Sequence, residues 1–141
     1  MTKVTLGFVL AGVLATGSAF AHHAAATLGT VTITQPVMAE GKMLQPGTYE
    51  LRDTGEHPMP LPGQSPDAQA YIEILSNGMV VAREIAEVMS GTPQAVGTSG
   101  ATSGGAGTRL RAQMLRGGDF MRIAANHGGE RYLIHLPTQA R

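Results

Sequence analysis

The 141-residue chain contains no cysteine and no tryptophan, and aromatic residues make up only 4% of it. Without cysteine there is no disulfide to brace the fold, no thiolate to act as nucleophile or metal ligand, and no lipid-bearing N-terminal cysteine. The fold must therefore rest on an apolar core. An excess of one charge is missing too, since ten basic residues face ten acidic ones. Such a balance gives no electrostatic reason to expect nucleic acid or an anionic membrane as partner.

Signatures of catalysis are equally scarce. The sequence has no Gly-x-Ser-x-Gly elbow, no Ser-x-x-Lys, no His-Glu-x-x-His and no phosphate-binding loop. Carboxylates such as Glu50, Glu73, Glu84 and Glu87 could supply the acid pair of a glycosidase, but they read more simply as outward charges of half-exposed strands. No resident cofactor is expected.

What is present begins with an export signal. One cation, Lys3, precedes an apolar segment from Val4 to Leu14 and then the small residues Ala15, Thr16, Gly17 and Ser18. Ala19 and Ala21 put small side chains where signal peptidase reads them, which predicts cleavage between Ala21 and His22. The apolar stretch is short of the roughly 20 residues that a spanning helix needs. Residues 1–21 are thus expected to be a signal peptide, and 22–141 a mature domain, periplasmic or extracellular, with no transmembrane segment. Losing the leader removes only Lys3, so nine basic residues would remain against ten acidic ones.

Past residue 22, period-two alternation recurs in short runs bounded by Gly, Pro and Asn, which predicts strands. Val31 and Ile33 alternate with threonines, and Ala39-Glu40-Gly41-Lys42 reads as a turn. After Pro46-Gly47, Tyr49 and Leu51 should face inward while Thr48, Glu50 and Arg52 face water. Pro58, Pro60, Pro62 and Pro66 mark an extended surface loop, because proline lacks the donor that a sheet needs.

The clearest hairpin joins Ala70–Leu75 to Met79–Met89 through Ser76-Asn77-Gly78, where Asn-Gly suits the positive φ angles of a tight turn. Neither side of its second arm is cleanly apolar, which predicts a bend or bulge near Arg83-Glu84, with a short helix as the alternative. Residues 91–108 carry no charge and are built almost wholly from Gly, Ser, Thr and Ala, the composition of a flexible loop. The last third reads as a meander. Leu110, Ala112 and Met114 share a face, Gly117-Gly118-Asp119 turns, Phe120–Ala125 returns, Asn126–Gly129 turns again, and Tyr132, Ile134 and Leu136 share a face. About seven strands in a single all-β domain follow, an antiparallel sandwich or small barrel.

Leu44, Pro46, Gly47, Thr48 and Tyr49 resemble a segment common in small secreted bacterial β-domains, which implies an extracytoplasmic β-module and no catalytic residue. With the compartment and the strand pattern, this leads to a non-enzymatic binding module whose partner is a protein or a glycan, or to a structural role at the envelope. A second class stays open. Processing at Ala21 would expose the amine and imidazole of His22, a pair that chelates Cu(II). Lytic polysaccharide monooxygenases and some periplasmic copper carriers are similar at this one position. The candidate metal ligands are His22, His23, His57 and His127, with His135 and Met59 as further donors; the plain alternative is a solvated leader before Ala24. Arg109, Arg111, Arg116, Arg122 and Arg131 gather in the last third, either as a positive face for anionic polysaccharide or as protection for sheet edges.

Overall fold

A computed structural model describes residues 24–90 and 109–139. Residues 1–21 with His22 and His23, and the Gly/Ser/Thr-rich stretch at 91–108, lie outside the described residues.

Every regular element among those residues is a strand: β1 (Ala26–Ile33), β2 (Val37–Ala39), β3 (Lys42–Leu44), β4 (Gly47–Asp53), β5 (Gln69–Ser76), β6 (Met79–Ser90), β7 (Arg109–Met114), β8 (Phe120–His127) and β9 (Glu130–Pro137). Seven of them form one antiparallel sheet in the order β1-β4-β5-β6-β9-β8-β7, while β2 and β3 pair as a separate hairpin. The end strands β1 and β7 lie against each other, so the sheet curls into a nearly closed barrel.

Alternation decides which side chains fill it. Val31 and Ile33 of β1, Tyr49 and Leu51 of β4, Ile72 and Ile74 of β5, Leu110 of β7, Met121 and Ile123 of β8 and Tyr132, Ile134 and Leu136 of β9 are all buried in one core. Each large aliphatic side chain removed fully from water contributes roughly 1.5–3 kcal/mol. This interior takes the place of the disulfides that the chain cannot make.

Two turns follow directly from residue chemistry. Asn77 (φ 50°) and Gly78 (φ 77°) both adopt positive φ between β5 and β6, and Glu40 (φ 49°) and Gly41 (φ 72°) do the same between β2 and β3. These angles match the right-handed twist of the strands they join. At the start of β1 the register shifts between Thr27 and Gly29, and Gly29 takes φ 123°. The bulge turns Leu28, fully buried, into the core beside Val31 and Ile33.

The second arm of the long hairpin corrects one expectation. β6 runs unbroken through Arg83-Glu84, which pair in register with Glu73 and Ile72, and its irregularity falls instead near the turn, opposite Ile74 and Leu75. No helix forms. Glu84, expected to face outward, instead stands on the inward side opposite Ile72, where it finds a partner: the backbone N–H of Glu40, at the tip of the β2–β3 hairpin, donates to its carboxylate. In return the Arg83 N–H donates to Oε2 of Glu40 at 3.2 Å. β9 pairs with β6 only over Glu87–Ser90. The hairpin thus supplies hydrogen bonds along the part of β6 that β9 leaves, and Val37 bridges to Thr138 beyond the end of β9.

Candidate functional site

Strand directions bring several of the chemically interesting residues to one end of the barrel. β1 starts there, β4 ends with Asp53, β5 starts at Gln69, β8 ends with His127 and β9 starts at Glu130. At this rim Asp53 is the one buried charged side chain among the described residues, 4% exposed. Its Oδ1 accepts the Gly55 N–H at 2.9 Å, and its Oδ2 accepts the Tyr132 hydroxyl at 2.9 Å. Oε2 of Glu130 also lies 3.0 Å from the Tyr132 hydroxyl, so one phenol bridges two carboxyl groups. Burial, which would strip a phenolate of its hydration, and then the hydrogen bond to Asp53 push the Tyr132 phenol far above its ordinary value.

The segment after β4 is fastened to β5. Thr54 N–H and its hydroxyl both donate to the Tyr71 carbonyl, at 3.1 and 3.0 Å, and Tyr71 N–H donates to the Glu56 carbonyl at 2.9 Å. This carries His57 to the start of β5, where its Nδ1 lies 2.7 Å from the Gln69 carbonyl oxygen. A carbonyl can only accept, so Nδ1 bears a proton, and any lone pair the ring offers is on Nε2. His127 stands opposite Glu130 across the β8–β9 pairing.

The candidate metal ligands therefore divide. His57 and His127 share the rim at which β1 begins, whereas His22 and His23 lie outside the described residues. His135 is exposed on the outer surface of β9, and Met59 is 91% exposed in the proline-rich loop. Among the described residues no three His, Asp or Glu side chains are grouped to hold a metal ion. No helix among them is long and apolar enough to cross a membrane.

The outer surface has two different halves. On β4–β6, Arg52 Nε donates to Glu73 at 3.0 Å, and Arg83 pairs with Glu56 while its guanidinium lies 4.3 Å from the centroid of the Tyr71 ring. On β7–β9, register places Arg111 and Gln113, then Phe120, Arg122, Ala124 and Asn126, then Arg131, Leu133 and His135 on the outward side. None of these outward positions holds a carboxylate. Sequence reading found the arginines but missed Asp53 and Tyr132 as a pair, since 79 residues separate them.

Compared with known protein families, with curated proteins and with solved structures, the chain matches none of them.

Proposed function

We propose that the protein is an exported, non-enzymatic β-barrel module that engages a protein or glycan partner through its outer surface, outside the cytoplasm. The observation that carries this reading is the filled interior. Leu28, Ile33, Leu51, Ile72, Ile74, Ile123, Ile134 and Leu136 are each below 2% exposed, so the barrel's inside is core and its outside is what a partner meets. The leader-like N-terminus and the balanced composition agree with export. The test is to express the whole chain in a bacterial host, fractionate the cells and determine the N-terminal mass. Export with cleavage after Ala21, and no turnover on panels of peptides and polysaccharides, is the expected result. A cytoplasmic, uncleaved protein or a clear hydrolase activity would overturn it.

The second reading is Cu(II) binding by the amine and imidazole of His22. It draws support from the rim, where His57, with its Nε2 lone pair set by the Gln69 carbonyl, shares the end of the barrel at which β1 starts. Such backbone fixing of one ring nitrogen is how ligating imidazoles are usually oriented. Titrating Cu(II) into processed protein, into a form with one extra N-terminal residue, and into His57→Gln separates the cases. Equal affinity in all three would end the copper reading.

A further inference from the structure

The even balance of charge along the chain hides a segregation in space. Residues 24–90 carry eight acidic and three basic side chains, whereas 109–139 carry two acidic and five basic ones. The two acids of the second part are also placed off its sheet surface: Asp119 sits in the β7–β8 turn and Glu130 reaches to the Tyr132 hydroxyl at the rim. The outward side of β7–β9 is left cationic.

Protection of sheet edges does not account for this. Arg122 and Arg131 stand on β8 and β9, which are both internal strands, paired on each side. Nor are they held in ion pairs like those of the other half. Arg52 and Arg83 each meet a carboxylate, but Arg122 donates to the Gln113 amide oxygen at 3.3 Å, and Arg131 has no carboxylate within salt-bridge distance among the described residues.

We infer that the outward side of β7–β9 is a docking surface for a polyanionic, carboxylate-bearing polysaccharide. This rests on the exported-module reading and names the partner. Arg122 on β8 and Arg131 on β9 stand on the same side of two paired strands, Arg122 opposite His135 and Arg131 opposite Asn126, so four residues of strand separate their positions. Guanidinium groups set apart in this way on a pleated surface match charges that repeat along a chain better than a single small anion. A guanidinium can grip a carboxylate with two parallel hydrogen bonds. Phe120, 44% exposed, is two residues from Arg122 on the same side and offers an apolar ring to a sugar face. Nucleic acid fits less well, because its dense phosphates, one charge per about 1.7 Å of duplex axis, would be repelled by the acidic remainder of a small domain.

The test titrates the processed protein with polygalacturonate, with neutral dextran and with double-stranded DNA at low salt, alongside sedimentation of the protein alone. Polygalacturonate should bind and dextran should not, with binding lost in 0.5 M salt as charge screening requires. Arg122→Gln/Arg131→Gln should weaken binding at least tenfold at an unchanged thermal midpoint, while Arg52→Gln, in the ion-paired half, should leave it unaltered. The inference fails if polygalacturonate binds no better than dextran, if the double variant binds equally well, or if DNA binds as tightly. It also fails if the arginines prove to drive self-association, seen as a monomer shift in the double variant. An exported protein that fails this test would still satisfy the wider module reading, so the two are separable.

Discussion

The Tyr132 hydroxyl lies 2.9 Å from Oδ2 of Asp53, tying β9 to β4 although β5 and β6 intervene between them in the sheet. A neutral donor meeting a buried carboxylate across a barrel acts as a strut. It also satisfies the one buried charge among the described residues.

Removing the strut should be costly. Tyr132→Phe keeps the ring but leaves Asp53 Oδ2 without its phenol donor, and an orphaned buried acceptor costs about 1–3 kcal/mol. Urea unfolding should show a lower midpoint with an unchanged slope. An unaltered midpoint would mean that water replaces the hydroxyl without penalty.

The same residue sets an alkaline limit. In the unfolded chain a phenol ionises near pH 10, while burial and the hydrogen bond to Asp53 raise the Tyr132 value in the fold. The stability tied to this group is therefore whole below about pH 10 and falls as pH rises toward the folded-state value. Absorbance at 295 nm should show Tyr132 silent until the barrel opens, with Tyr49 and Tyr71 the other phenols present. In Tyr132→Phe this part of the alkaline loss of stability should vanish.

Core and loop should answer truncation differently. Leu51 is fully buried, so Leu51→Ala should destabilise by roughly 2–5 kcal/mol through lost burial and the cavity left behind. Met59, 91% exposed, should change stability by less than about 0.5 kcal/mol when replaced by Ala. Similar effects from the two would contradict the described packing.

The β5–β6 turn offers a cleaner backbone test. A Cβ added at Gly78 would meet nothing within 4 Å, yet φ is +77°. Gly78→Ala should therefore cost about 1–2 kcal/mol from backbone strain alone. Thermal unfolding at equal concentrations measures it, and a neutral result would show that the turn relaxes to another conformation.

Much of this fold is legible in single residues and their neighbours. Val31 and Ile33 among threonines, Tyr49 and Leu51 between polar residues, and the Asn77-Gly78 pair each announce local structure because their physics is local. Glu84 was not legible. Its inward position conflicts with alternation until the Glu40 N–H arrives from 44 residues away. Leu28 was missed for a related reason: a bulge shifts the period by one, and only Gly29 hints at it. The rim was half legible, since histidines stand out in a sequence, whereas an Asp and a Tyr become a strut only after four strands have paired. Charge segregation was hidden by the even total, because a sum carries no information about sides.

The meeting of β1 with β7 has a bearing on how the molecule behaves in company. A row of unpaired backbone amides and carbonyls at the end of an open sheet is a template that a neighbouring molecule can extend. Here the two end strands lie beside each other, which leaves a neighbouring molecule little room to add a strand at either. A seam of this kind would keep a disulfide-free protein dispersed at high concentration, and prising it apart would be the first step by which copies join.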